Sequence, residues 1–130
     1  MLFSVLVYGS PFNSSCAQTA FRFTQAALEA GHTIHRVFFY GDSVFSSSQL
    51  NAPQRDEWNT YQAWADLADQ YQLDLVVCIA AALKRGVLDE KEAKRHEKAH
   101  FNVAPPFQLS GLGQLTDAMM SSDRIISFGE

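Results

Sequence analysis

A chain of 130 residues, 47% apolar and 18% charged, has the size of one domain and enough hydrophobic material for a core, which excludes a multidomain enzyme and an intrinsically disordered chain. Ten Lys and Arg stand against fourteen Asp and Glu, a formal charge of -4, so bulk attraction to phosphate backbones is not expected and direct nucleic-acid binding starts as the weaker reading. The longest unbroken apolar run, Leu75 to Leu83, is less than half of the roughly 20 residues that a bilayer-spanning helix requires.

Leu2 to Val7 is a short β-forming run, and Gly9-Ser10-Pro11-Phe12-Asn13-Ser14-Ser15 after it is turn chemistry. No basic stretch precedes this apolar start and no A-x-A-like site follows, so it reads as a strand and not a signal peptide, which implies a cytoplasmic protein. From Ala17, the residues Ala20, Phe21, Phe23, Ala27 and Leu28 recur at helical spacing, with Ser14 or Ser15 as N-cap and Gly31 as the stop. Thr33 to Tyr40 is β-branched and aromatic and predicts a second strand beside the first.

Gly41 to Arg55, rich in Ser, Asn and Pro, is expected to be an exposed excursion with a short helical turn at most. Glu57 to Tyr71 places Trp58, Tyr61, Trp64, Ala65, Leu67 and Ala68 on one helical face. Leu73 to Cys78 reads as a strand whose near-continuous apolar end suits burial on both faces, and it is expected at the centre of the sheet. Ala80 to Leu83 supplies helix formers ended by Gly86, and Asp89 to His100 a charged helix. After Pro105-Pro106, Phe107 to Ser110 predicts a strand, Leu112 to Ser122 a helix and Arg124 to Phe128 a last strand. Strands alternating with helices imply right-handed crossovers, and hence one α/β domain over residues 1–130 with three α/β/α layers around a mainly parallel five-stranded sheet.

In such sheets reactive groups gather beyond the carboxyl ends of the strands, and Cys78 falls there, directly before a helix. A free thiol has a pKa of about 8.5, and a helix N-terminus can bring it to about 7 or below, so this placement offers an activated sulfur. A second reading stands beside the first, because free cysteine is among the most buried residue types and Val-Val-Cys-Ile also suits a core. Arg85, seven residues on, shares a face with Cys78 on a straight helix but lies about 10 Å away by that geometry, where surface solvation is its expected task. Cys16 is the rival nucleophile at the entrance to the first helix, held by a longer loop, and is expected to be a bystander. With no C-x-x-C spacing, both cysteines read as free thiols in a reducing compartment.

His32 and His35 point to opposite faces of an extended segment and read as structural. His96 and His100 stand at i, i+4, yet no third ligand is evident, so a solvated helix is the expectation and no metal site is assigned. Six of the ten basic residues lie between 84 and 98 among four acids, and pairs such as Glu90 with Lys94 account for much of that charge. The Ser/Asn loop after the first strand loosely resembles a flavodoxin-type FMN phosphate loop, but no pair of aromatics is placed to sandwich a flavin, and no cofactor is expected.

Several segments together carry a resemblance: Ala20-Phe21-Arg22-Phe23, Gly31-His32, Arg36-Val37-Phe38-Phe39-Tyr40, Val77-Cys78-Ile79-Ala80-Ala81-Ala82, Arg85-Gly86-Val87, Asp89-Glu90 and Leu109-Ser110-Gly111-Leu112-Gly113-Gln114-Leu115. In these the chain resembles, almost end to end, the DsrE-like sulfurtransferase family in its TusD and DsrE branch. The resemblance implies the DsrEFH-like fold, and catalysis at Cys78 as a persulfide carrier that needs no cofactor. It implies sulfur taken from a TusA-like donor and passed to a TusE/DsrC-like acceptor, for 2-thiouridine formation at the tRNA wobble position or, alternatively, for sulfur oxidation. It further implies a heterohexamer with TusB-like and TusC-like subunits, in which Trp58 or Tyr61 would serve as contact surface if exposed. A noncatalytic subunit of the same fold and an FMN carrier are the competing functions.

Overall fold

In the computed structural model, which describes residues 1–129, five strands pair in parallel. They are β1 (Leu2–Val7), β2 (Thr33–Phe39), β3 (Leu75–Cys78), β4 (Phe107–Ser110) and β5 (Arg124–Phe128), in the spatial order β4-β3-β2-β1-β5. Helices α1 (Cys16–Glu29), α2 (Thr60–Tyr71), α3 (Ile79–Leu83), α4 (Glu90–Arg95) and α5 (Gly113–Ser121) connect them, with a 3₁₀ helix at Gly41–Ser47. The chain steps from β1 to β4 in one direction and returns to β5 at the far edge. With right-handed crossovers, the outward steps put α1 and α2 on one face and the return puts α5 on the other. This is the expected three-layer α/β/α fold.

Aromatic packing accounts for the α1/α2 face. Trp64 of α2 is fully buried, its ring edge-on to Phe21 of α1 and to Phe39 of β2, each with centroids 5.3 Å apart. Tyr61 stacks on Phe107 at 5.6 Å, which ties α2 to β4. Such pairs add about 0.5–1.5 kcal/mol each beyond area burial. Helix α1 closes where Gly31 takes φ +91 and the His32 amide donates back to the Ala27 carbonyl, a turn that a side chain at position 31 would strain.

The α5 face is built differently. Only Ala118 of α5 is buried, and a polar network fastens the helix. Arg36 donates from Nε to Asp74 (2.7 Å) and from Nη1 to Asp117 (2.9 Å) and the Gln114 carbonyl (2.7 Å), while His35 Nε2 lies 3.1 Å from Asp117. Adjacent residues of a regular strand point to opposite faces. Here Phe3 pairs with Ile34 and Ser4 with Arg36, so His35 is an extra residue in the ladder, and His35 and Arg36 reach the same carboxylate.

Three expectations need correction. The excursion from Gly41 is not exposed at its start: Ser43, Val44, Ser46 and Ser47 are buried. Ser43 Oγ donates to the Val7 and Tyr40 carbonyls and Ser47 Oγ to that of Val44, so polar composition here covers backbone instead of facing water. Strand β3 is not central; β2 is, and β3 is fully buried because β2 and β4 flank it and both faces are covered. The charged helix stops at Arg95, six residues after its Asp89 cap, because Glu97 turns into the left-handed region and the Lys98 amide returns to the Ala93 carbonyl.

Candidate functional site

Cys78 ends β3 and is at the same time the N-cap residue of α3. Its register partner is Ser110 of β4, and the strand behind it, Leu75 to Val77, has no exposed surface. Close packing on both faces therefore fixes the sulfur-bearing residue. Cys78 itself is 2% exposed, yet it is not sealed in hydrocarbon: it lines a pocket of about 200 Å³ at the carboxyl edge of the sheet. Tyr40 and Gly41 after β2, Ala80, Ala81, Lys84 and Arg85 from α3 and the turn behind it, and Leu112 at the entry to α5 complete the lining. Gly41 has φ +60, and a Cβ there would stand 3.3 Å from the Tyr8 carbonyl, so the chain turns tightly beside the pocket only with glycine.

Arg85 is placed differently from the sequence expectation. Helix α3 ends at Leu83 and the chain turns at Gly86, φ +75, so the straight two-turn spacing to Cys78 does not exist. Arg85 lines the pocket of Cys78. Its Nε donates to Asp42 Oδ1 and its Nη1 to the Ala81 carbonyl, both at 2.9 Å. Lys84 is exposed, and among the described residues no carboxylate lies within 4.0 Å of its ammonium. Tyr40, Gly41 and Leu112 also escaped the sequence reading. The signal available was topological: they follow β2 and β4, the neighbours of β3, at the carboxyl edge where sites form.

Cys16 is the first residue of α1 and half-buried, with its Sγ packed directly on Gly9. Its amide donates to Ser14 Oγ at 3.0 Å, while Ser15, at the N-cap position, makes no side-chain cap. It does not line the pocket of Cys78, and both thiols are free. A separate pocket of about 300 Å³ lies beside Gly9, lined by Tyr8, Ser10, Asn13, Ser14 and Asp42. Ser10 Oγ accepts from the Phe12 and Asn13 amides, so this loop spends its hydroxyl on its own turn.

The histidines do not converge on Cys78. His32 Nδ1 lies 3.1 Å from the N-terminal amine, His35 is bound to Asp117, and His96 Nε2 lies 3.6 Å from the buried Glu92. Among the described residues no three His, Cys, Asp or Glu side chains group to hold a metal. Lys94 pairs with Glu90 and Arg95 with Glu92, each at 3.6 Å. Trp58 packs on Phe21 at 5.7 Å, and Tyr61 on Phe107; both are half-buried, neither fully exposed. Exposed large apolar side chains include Leu112 at the entry to α5 and Met119 and Met120 within it, besides Phe12, Leu50 and others elsewhere on the surface. No helix among the described residues is long and apolar enough to cross a membrane.

The fold is shared with a solved structure, the ychN protein from E. coli, at a TM-score of 0.74 and 17% identity, covering 98% of this chain and 100% of that one. In sequence, the DsrE protein of Allochromatium vinosum is 45% identical over 130 residues, all of both chains. The sulfurtransferase TusD homolog of Pseudomonas aeruginosa is 46% identical over 129 residues, 99% of this chain and 98% of that one. The sulfurtransferase TusD of Proteus mirabilis is 43% identical over 128 residues, 98% of each. A model of the DsrE/DsrF-like family matches residues 1–128. The chain thus belongs to the DsrE/DsrF-like family and is a sulfurtransferase of the TusD/DsrE kind.

Proposed function

We propose that the chain carries sulfane sulfur as a persulfide on Cys78, accepting it from a TusA-like donor and passing it to a TusE-like acceptor in the relay that forms 2-thiouridine in tRNA. The observation that carries this reading is the position of Cys78: rigid at a buried strand end, yet lining a pocket that opens at the carboxyl edge of the sheet. The Cys78 thiolate attacks the outer sulfur of the donor persulfide. One S–S bond forms, the donor's S–S bond breaks, and the donor cysteine leaves as a thiolate. The acceptor thiolate then repeats the exchange on the outer sulfur at Cys78. Each step trades one persulfide for another, so no net oxidant, metal or cofactor enters the balance.

The net charge of -4 supports a role that leaves tRNA contact to other members of the relay. The exposed Leu112, Met119 and Met120 support assembly with TusB-like and TusC-like subunits. A second reading, a subunit of a sulfur-oxidation relay with a DsrC-like acceptor, is favoured by the 45% identity to DsrE over the whole of both chains.

Intact-mass measurement after incubation with a small persulfide donor tests the carrier role. The expected gain is one sulfur atom per chain, kept in Cys16→Ser and absent in Cys78→Ser. A folded chain that gains nothing would leave a noncatalytic subunit. Loaded protein offered TusE-like and DsrC-like acceptors in parallel separates the two relays by which one strips the sulfur.

A further inference from the structure

We infer that Arg85 is the cation that holds the outer, anionic sulfur of the Cys78 persulfide; this rests on the carrier reading above. The outer sulfur stands one S–S bond, about 2.05 Å, beyond Sγ, and so projects into the pocket that Cys78 lines. A negative charge placed in a half-enclosed pocket loses part of its hydration and needs a partner. Of the side chains lining that pocket only Lys84 and Arg85 carry positive charge.

The two are not equivalent. Lys84 is exposed on a free four-carbon stem, and ordering it costs side-chain entropy. Arg85 is already ordered. Its side chain is 26% exposed and is pinned at two points, Nε on Asp42 of the 3₁₀ helix and Nη1 on the Ala81 carbonyl of α3. Its Nη2 has no partner among the described residues. A guanidinium fixed through two of its nitrogens presents its remaining N–H groups at little further entropic cost. Asp42, which lies outside the lining of this pocket, is the positioning residue that keeps the fork in place.

The test uses reagent charge on the full chain in a Cys16→Ser background. Alkylation of Cys78 by iodoacetate, which is anionic, is compared with that by neutral iodoacetamide, since the ratio reports a nearby cation and not simple access. Arg85→Gln is expected to lower the iodoacetate-to-iodoacetamide ratio about threefold, the factor that one unit charge several ångströms away gives under aqueous screening. Arg85→Lys should retain most of the ratio, Lys84→Ala should change it little, and 1 M salt should depress the parent's ratio toward that of Arg85→Gln. Sulfur loading is weighed on the same samples, with thermal melts to confirm folding. Normal loading with an unchanged ratio in Arg85→Gln, or an equal fall in Lys84→Ala, overturns the role of Arg85 and leaves the carrier standing. A parent whose Cys78 takes neither reagent nor sulfur until denatured overturns both.

Discussion

Replacing Gly9 with alanine isolates what Cys16 does. The glycine is buried, and its φ lies outside the left-handed region, so an alanine there meets no backbone strain. The obstacle is a single atom: a Cβ at position 9 would overlap Cys16 Sγ, whereas Cys16 Cβ and Ser14 Oγ at 3.6 Å are in ordinary contact. Overpacking of this kind costs about 1–3 kcal/mol, less whatever a χ1 rotation of the cysteine relieves at about 0.5–1.5 kcal/mol. Cys16→Ala alone removes one buried heavy atom, for a loss near 1 kcal/mol. The double variant removes the overlap and puts the new methyl into the vacated space. Its cost should therefore fall below the sum of the singles by about 1–2 kcal/mol, a coupling that only neighbours show. Urea unfolding resolves it, because with slopes of about 1–3 kcal/mol/M a 2 kcal/mol change moves the midpoint by roughly 1 M. Additive singles would refute the packing role of Cys16, and loss of sulfur loading in the folded double variant would refute its separation from the chemistry.

Trp64→Phe is expected to cost less than about 2 kcal/mol, against about 3–5 kcal/mol for Trp64→Ala, because the departing indole N–H has no partner among the described residues and the phenyl ring keeps the contacts to Phe21 and Phe39; urea midpoints measure both. Gly86→Ala should cost about 1–2 kcal/mol through backbone strain alone, since φ is +75 and nothing lies within 4 Å of the added Cβ; a neutral result in the same assay would reject that account. Hydrogen bonds from His35 and then Arg36 hold Asp117 below the usual carboxylate range. Its folded value lies under its unfolded one, so its contribution is present above about pH 4 and lost as pH falls through the folded value. Asp117→Asn should therefore melt earlier than the parent at pH 7, with the difference shrinking toward pH 2; an equal gap at both would contradict this.

Local signals carried most of the element boundaries. β1, β4 and β5 stand where short β-forming runs meet Gly, Pro and Ser, and the Leu75–Cys78 run announced a strand covered on both faces. Strand order was not legible, because apolar runs report burial and not neighbours, and a flanked strand next to the edge reads like a central one. Serine content misled at Gly41–Ser47, since a hydroxyl bonded to the Val7 carbonyl is polar in composition and buried in fact. At the site, only the residue at the strand end could be named from its own surroundings. Tyr40, Arg85 and Leu112 follow three different strands, and a straight-helix extrapolation from Cys78 cannot foresee a helix that stops at Leu83.

The two sides of the pocket rest on different physics. On one side Cys78 is continuous with Leu75–Val77, whose burial against both layers makes displacement of the sulfur costly. On the other side Leu112 leads into α5, a helix that fully buries only Ala118, rests Leu115 on the core and is tied to β2 by the bonds of Arg36 to Asp117 and the Gln114 carbonyl. Polar bonds of this kind are directional where apolar packing is not. The bulge at His35 is what allows two successive residues of β2 to grip one carboxylate of that helix. For the carrier role proposed above, a sulfur held by the core and a lip held by directional bonds are the matching arrangement: the reacting atom would stay fixed while the surface around it received first one macromolecule and then another.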